Sequence, residues 1–528
     1  LSFPRVLPLG DAAVTLELGD SLDPATNARV RDVDRDLARA PFDGFRESVP
    51  THRSLLVIHE PGLPFSIVTR DLLGRVGQPG PAPAPPRLHE VPTVYGGEHG
   101  ADLAPLARRL GLTEQDVVRL HAAHVYTVFM LGFTPGFAYL GLLPAALESP
   151  RHATPRVHVP AGSVALAGRQ TGIYPAASPG GWQILGRSAL RLFDPCRPEP
   201  ALLAPGDSVR FRPVPELDEL APSSASDVSP ARATAVEVLD PGLLTSVQDA
   251  GRSGWRRIGV GGAGALDARA LARANQGLGN PPGAAALECT LSGPTLLFHV
   301  PVRFALAGAD LDARLERADL GEWPVPLGAA VLARPGNVLR FAGRRSGCRA
   351  IVAFEGGIDV PEVLGSRSTD LGSHFGGGAG RALEAGDRLA LREKARDVGR
   401  DATPRAPLVR ATVRVVLGPQ ADGLEPEALR AFLSATWRVG ASSDRVGCRL
   451  DGPPLRHRAA AEILSDGMVP GSVQVPPDGR PIVMLADAPT TGGYPKLATV
   501  LTADLPVLAQ LVPGEGELRF EAVALEDL

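Results

Sequence analysis

The chain has 528 residues, more than one hydrophobic core serves, so its length predicts three or four domains. A formal charge of −4 and a pI near 6.3 argue against nucleic acid or an anionic membrane surface as partner. No apolar run reaches the roughly 18 residues that a spanning helix needs.

Sixty Gly and 52 Pro with 5% aromatics point to many tight turns and short strands. The opening "LSFPRVLPLGDAAV" lacks the basic-then-apolar pattern of a secretory leader. Cys196, Cys289, Cys348 and Cys448 are far apart and form no CxxC, which predicts reduced core thiols in a cytoplasmic protein. Only Lys394 and Lys496 are lysine among 54 basic residues. A lysine kept against that bias marks a place where a compact ammonium is needed.

Residues 1–77 read as a small α/β unit. "AAVTLEL" alternates like a strand, and Asp23-Pro24 then starts a helix with Val30, Val33 and Leu37 on one face. "SLLVIHE" reads as a buried strand and "FSIVTRDLLGRV" as a short helix, before the Pro-rich linker 77–87. Residues 88–213 predict a β-barrel with a helical insertion, "DLAPLARRLGL" and "TEQDVVRLHAAH", the second opening at Thr113 with Asp116 at the capping-box position. Residues 214–232 are a polar Pro/Ser linker and 394–407 a second candidate, which leaves units at 233–395 and 408–528.

Repeats support several related units. "APGDSVRF" (204–211) recurs as "RPGNVLRF" (334–341), "EAGDRLAL" (384–391) and "VPGEGELRF" (512–520), each a glycine turn feeding a strand. "CTLSGP" (289–294) matches "CRLDGP" (448–453), and "AGSVAL" with "SPGGW" matches "PGSVQV" with "TTGGY".

Familiar catalytic motifs fail. Neither lysine follows a glycine, so there is no Walker A loop. "GVGGAG" (259–264) fits GxGxxG but follows no buried strand; opening a helix, it reads as an anion-holding loop or a plain turn. His121 and His124 lack a third ligand for zinc, which leaves His121 as an acid/base or a packed histidine. No GxSxG elbow, amidase serine cluster or biotinyl Met-Lys-Met signature occurs. Four Gly-rich polar stretches remain: "LGFTPGFAYLGLLP" (131–144), "AGRQTGIYPAASPGGWQILGR" (167–187), "SRSTDLGSHFGGGAGRAL" (366–383) and "SSDRVGCRL" (442–450).

The first two stretches resemble the B subunit of 5-oxoprolinase, a family also called allophanate hydrolase subunit 1 or the kinase-inhibitor family. "GLLTSVQDAGRSGWRRIGVGGAGALDARALARANQGLGN", "ALECTLSGP", "SRSTDLGSHFGG", "SSDRVGCRLDGP" and "GSVQVPPDGRPIVMLADAPTTGGYP" resemble the C subunit, or allophanate hydrolase subunit 2. The chain is thus identified as a B-then-C fusion joined at 214–232, similar also to the carboxyl-transfer part of urea carboxylases.

The resemblance implies a mainly β fold with α/β parts: a small N-terminal α/β domain and cyclophilin-like barrels, one in the N-terminal half and two in the C-terminal half. It implies ATP as co-substrate with room for Mg²⁺, no biotin site, an amide substrate (5-oxo-L-proline, opened to L-glutamate) and a separate protein like the A subunit. A non-catalytic kinase inhibitor–antagonist fusion and an amide- or urea-binding carboxyl-transfer module remain open. Linked halves with large apolar barrels suggest a homodimer.

Matching the family motifs assigns His121, Gln170, Thr171, Tyr174, Gly180 and Gly181 to the site in the B-like half. In the C-like half it assigns Gln248, Asp249, Arg252, Asp267, Glu288, Arg367, Ser368, Thr369, Asp444, Arg445, Gln474, Thr491, Gly492, Gly493 and Tyr494. Implied roles are His121 as acid/base, Arg252, Arg367 and Arg445 for phosphate or carboxylate, and Asp249 and Asp267 as base or Mg²⁺ ligand. One departure stands out: where the family often has Gln after Asp487, this chain has Pro489, which removes an amide contact.

Overall fold

A computed structural model describes residues 2–78, 82, 85–217, 233–393, 412–458 and 460–527. Most of the expected linker 214–232, all of 394–407 and parts of 77–87 lie outside the described residues, as does Lys394. Among the described residues no helix is long and apolar enough to cross a membrane.

The N-terminal residues form a four-stranded antiparallel sheet in the order Arg5–Pro8, Ala13–Glu17, Ser54–His59, Phe45–Pro50. The helix Pro24–Arg39 starts where Asp23 accepts a 2.7 Å bond from the Thr26 amide, with Pro24 in the first turn. Val30, Val33 and Leu37 cover one face of the sheet against Leu16, Leu55 and Val57. The other face carries Leu9, Ala13, Val49 and Leu56, which pack on Val469 of the last unit. Burial on both faces explains why "SLLVIH" is a continuous apolar run rather than an alternating one.

The next unit is a closed seven-stranded barrel. Its strands follow the circle Gln170–Ile173, Ala138–Gly141, Val125–Leu131, Ser208–Pro213, Leu88–Tyr95, Gln183–Arg187, Ser163–Ala167. The helices Leu103–Leu110 and Glu114–Ala122 are inserted after the first strand, the second with the expected capping box at Thr113.

The last unit closes in the same way, through Thr412–Leu417, Lys496–Val500, Ser472–Gln474, Ile482–Met484, Gly447–Asp451, Trp437–Val439 and Glu517–Ala522. Counted along the chain, the strands of the two barrels stand in the same circular order. In both, the last strand pairs parallel with the first. Each also carries a two-stranded flap in the same place, Arg156–Val159 with Ser178–Gly180 and Asp466–Gly467 with Thr491–Gly492.

Between them, the third expected barrel does not close. Its described strands form one sheet of six and one of five, face to face around Phe298, Phe304 and Phe354. Register slips occur between Val238 and Asp240 and between Gly308 and Asp310, and bulges of this kind bend a strand locally. The helix Ala268–Gly277 lies outside the five-stranded sheet, with Leu271 and Ala274 against Ala305, Ile351 and Ala353. Cys289, Cys348 and Cys448 are buried as expected, but Cys196 is exposed and so is no core thiol.

Polar contacts dock the N-terminal sheet on the rest. Asn27 Nδ2 donates to the carbonyls of Thr51 (3.0 Å) and Phe129 (3.1 Å), tying the helix to the first barrel. Asp34 pairs with Arg257, and Glu47 accepts from the amide of Gly254 at 3.0 Å. Ser54 Oγ donates to Asp466 Oδ1 at 2.5 Å, and Asp466 Oδ2 pairs with Lys496 Nζ at 2.6 Å. Burial alone would raise the Asp466 pKa, but the Lys496 ammonium and the Ser54 hydroxyl outweigh it and hold the carboxyl below its usual range.

Replacing Lys496 with Met leaves Asp466 charged and unpaired inside the protein, so the variant is expected to lose about 3–5 kcal/mol. Urea denaturation checks this, and the double change Asp466→Leu, Lys496→Met should recover most of the loss. A single variant as stable as the parent would show that the pair carries little.

Candidate functional site

The two barrels meet along outer sheet faces: the first barrel's core takes Ala138, Leu140, Val164, Leu166 and Leu185, while the alternating Tyr139, Ala165 and Ile184 point away from it into a separate cluster. The turn "GFTPGF" (132–137) leaves the first barrel and touches both other bodies. The Phe133 amide donates to Thr491 Oγ1 at 2.9 Å, and the Gly136 amide to the Ile258 carbonyl at 2.8 Å. A side chain on Gly132 would overlap Thr491, and one on Gly259 would overlap the Thr134 carbonyl, so both positions are held to glycine. Behind the turn stands an aromatic wall. The Phe137 ring meets Tyr139, Tyr174 and Trp182 edge-to-face with centroids 4.9, 5.2 and 5.6 Å apart.

Opposite that wall the second barrel presents polar groups. The buried Tyr139 hydroxyl lies within hydrogen-bonding reach of Ser465 and Thr491, and Lys496 and Asp466 stand behind the same flap. Gln474 Nε2 donates to the Tyr494 carbonyl at 3.3 Å. At the rim Arg151 Nε donates to Glu462 at 2.9 Å, and its guanidinium lies 5.6 Å from the Tyr494 ring centre. From the N-terminal unit, His52 is fully buried beside Tyr139 and accepts a 2.8 Å bond from Gln170 Nε2.

A second polar cluster lies where the two-layered unit meets the last barrel. Arg445 is buried and makes two 2.8 Å bonds to Asp487, a pair to Glu288 and a 2.7 Å bond to the Gly264 carbonyl. Glu288 also accepts from the Leu266 amide at 2.7 Å. Burial, the largest effect, leaves the Asp487 carboxyl raised on balance, although the bidentate Arg445 guanidinium pulls the other way. Nearby, Gln248 Nε2 donates to the Thr369 carbonyl at 3.1 Å, and Arg252 is held on the Ser368 carbonyl with its guanidinium 4.6 Å from the Phe375 ring centre.

The structure therefore gathers Gln248, Asp249, Arg252, Arg367, Ser368 and Thr369 in one place and joins Glu288 to Arg445. It brings Thr491, Gly492, Gly493, Tyr494 and Gln474 together at the flap of the last barrel, and sets Tyr174 against Gly180, next to Gly181, at the flap of the first.

The three residues expected to be catalytic are placed otherwise. His121 is 0% exposed, with Nδ1 2.7 Å from the Tyr95 hydroxyl and Nε2 2.8 Å from Thr171 Oγ1, and Phe211 against its ring. It is a packed core histidine, and Thr171 is its partner. Asp249 accepts at Oδ1 from Ser366 Oγ (2.6 Å), Ser368 Oγ (2.5 Å) and the Gly251 amide (2.8 Å), and at Oδ2 from the Arg367 amide (2.6 Å), which ties the carboxylate to its own loops. Asp267 caps its helix at 2.8 Å and accepts from Gln510 at 2.7 Å. Asp444 accepts from the amides of Val446 and Gly447 and shapes a turn, and Arg367 pairs with Glu362 at the surface. Among the described residues no group of three or more His, Cys, Asp or Glu is placed to hold a metal.

Sequence reasoning missed Tyr139, Ser465, His52 and Asp466 as site residues. Tyr139 lies within the singled-out stretch 131–144 but reads there as a packed aromatic, and the other three stand in no stretch with a chemical signature. Lys496 did carry one, its rarity, but no role followed from it.

Models of two carboxyltransferase domains match the chain: subdomains C and D over residues 4–203, and subdomains A and B over residues 258–522. The N-terminal half is 45% identical to the B subunit of 5-oxoprolinase from Escherichia coli O157:H7 over 213 residues, 40% of this chain and 97% of the relative. The C-terminal half is 39% identical to the C subunit of 5-oxoprolinase from Escherichia coli K12 over 293 residues, 55% of this chain and 92% of the relative. The crystal structure of a protein designated TTHA0988 superposes with a TM-score of 0.85 at 38% identity, covering 96% of this chain and 99% of that one.

Burial pushes both His52 and His121 down to about 3, against about 6.5 in an unfolded chain. The folded rings stay neutral while the unfolded ones protonate below pH 6.5. Their stability contribution is therefore complete above that pH and is lost as pH falls towards 3. Each ring should add up to about 1.4 kcal/mol per pH unit to the slope. Urea unfolding at pH 7, 6 and 5 should show the His121→Gln slope shallower by about one proton. An unchanged slope would mean that the His121 ring is charged in the fold.

Proposed function

Because the chain belongs to the carboxyltransferase-domain family, with one half similar to the B subunit of 5-oxoprolinase and the other to its C subunit, we propose that it is the fused B–C component of a 5-oxoprolinase. With ATP and a separate protein like the A subunit, it opens 5-oxo-L-proline to L-glutamate. The observation that carries this reading is the pairing of both halves in one chain, with the aromatic face around Tyr139 in the first packed on Ser465 and Thr491 of the second.

A lactam carbonyl is a poor electrophile because the nitrogen lone pair is delocalised into it. Transfer of the ATP γ-phosphoryl to the lactam oxygen, with loss of the N–H proton, makes the carbon open to water. Water adds, the C–N bond breaks as the amine takes a proton, and a second water releases phosphate from the acyl phosphate. Over the reaction one lactam, one ATP and two waters become glutamate, ADP and phosphate.

In this reading the aromatic wall of Phe137, Tyr139, Tyr174 and Trp182 takes the flat ring. The Tyr139 hydroxyl, Thr491 and Gln474 offer donors to the carbonyl oxygen as charge develops there. Burial excludes water other than the attacking one. Mg²⁺ would enter with the nucleotide, since this cation keeps its own waters and is commonly held through phosphates. A second reading, capture of an amide or urea for carboxyl transfer, is favoured by the carboxyltransferase models themselves.

The test combines this chain with an active A-like partner protein, ATP, Mg²⁺ and 5-oxoproline and measures glutamate. Glutamate is expected, and its absence with a partner shown to be competent would sink the reading. Tyr139→Phe should lower kcat/KM by about 10–100-fold, the loss of roughly 1.4–2.7 kcal/mol of transition-state hydrogen bonding, without unfolding the chain. With urea, a biotin carboxylase and a carboxylated carrier in place of the A-like protein, carboxylated urea would favour the second reading.

A further inference from the structure

Two glycines in "GVGGAG" have no structural reason to be glycine. Gly259 and Gly264 have φ of +85° and +89°, and a Cβ on either would overlap backbone atoms. Gly261 and Gly262 between them have no positive φ. A Cβ on Gly262 would sit 3.4 Å from Arg256 Nη2 and 3.5 Å from the Arg252 carbonyl, and one on Gly261 would sit 3.3 Å from the Ala488 carbonyl. These are tolerable contacts. Bare backbone that the fold does not demand suits the close approach of a ligand.

The side chains around this backbone hold unused hydrogen-bonding capacity. Arg252 and Arg256 are 6% and 7% exposed, and each has a buried Nη1 with no partner. Arg252 uses Nε on the Val363 carbonyl at 3.3 Å, while Arg256 Nε faces Glu47 at 3.4 Å. Thr134 and Thr490, on the two loops that touch this one, are also buried with unpartnered hydroxyls. A buried donor left unanswered costs about 1–3 kcal/mol, so several in one junction point to an occupant with many acceptor oxygens.

We propose that the backbone of Gly261–Gly262, with the Arg256 guanidinium beside it and the Arg252 main chain bonded to it, is an oxyanion site that takes a phosphoryl group. Guanidinium Nη1 donors and a side-chain-free loop match the geometry of a tetrahedral oxyanion. Asp249, Asp370 and Asp487 lie in electrostatic reach of Arg252, and Glu47 of Arg256. Binding therefore draws on hydrogen bonds rather than on unbalanced positive charge. The choice of phosphoryl among oxyanions rests on the reading that ATP activates the amide. The site itself is drawn from the glycines and the guanidiniums.

Calorimetric titration of the intact chain with inorganic phosphate and with ADP reads binding without turnover. The parent should bind phosphate, and both Arg256→Gln and Gly262→Ala should weaken it at least tenfold. Gly262→Ala keeps every charge and adds only a methyl that the backbone accommodates, so it remains informative if Arg256→Gln misfolds. Failure of the parent to bind phosphate, or equal affinity in parent and Gly262→Ala, overturns the site. Loss of 5-oxoproline binding on Gly262→Ala with phosphate binding untouched overturns the phosphoryl assignment. Phosphate binding that responds to these variants in a chain that yields no glutamate upholds the site and removes the functional reading instead.

Discussion

The arrangement depends on a buried ion pair that two bodies share. Lys496 and Asp466 belong to the last barrel, and Ser54 of the N-terminal sheet completes the carboxylate's hydrogen bonds. A charged pair taken out of water is a poor source of stability against an apolar alternative, but it is intolerant of misplacement. It sets where the N-terminal sheet lies on the last barrel. That sheet also grips the first barrel through Asn27 and the glycine loop through Glu47 and Asp34, so these contacts together set how the barrels lie against each other.

The contact between the two barrels is chemically one-sided although they share a topology. The matched stretches "AGSVAL…SPGGW" and "PGSVQV…TTGGY" put Ala165 opposite Gln474 in the correspondence, Trp182 opposite Tyr494, and Ile184 opposite Lys496. The first barrel filled these places with apolar and aromatic groups, and Ala165, Tyr174 and Ile184 join one core. The second kept amide, hydroxyl and ammonium there.

Much of the fold was legible because it is written locally. The Asp23-Pro24 start, the Thr113 capping box and the glycine-turn strands each sit within a few residues. The repeat of "SPGGW" in "TTGGY" identified the two flaps as counterparts before their pairing was seen. The site was less legible, since its contacts join residues hundreds of positions apart: Phe133 meets Thr491 across 358 positions and Ser54 meets Asp466 across 412. Polar residues beside glycines read alike whether they face a ligand or a neighbouring amide. Asp249 holds a loop together and His121 fills a core, and only burial and partner counts separate such residues from Arg252. The open middle unit was hidden for a related reason, because closure depends on strand register rather than on strand content.

At the rim, the Arg151–Glu462 contact has a history in its geometry. The residue after each, His152 and Ile463, donates its amide to the second glycine of its own flap motif, Gly181 and Gly493, so Arg151 and Glu462 hold the same position in their barrels. In an isologous homodimer a residue on the symmetry axis meets its own copy, and arginine would face arginine. Opposite charges can meet on such an axis only after the two copies have diverged. The Arg151–Glu462 pair thus joins counterpart positions of the two barrels through a contact that two identical copies could not make on an axis.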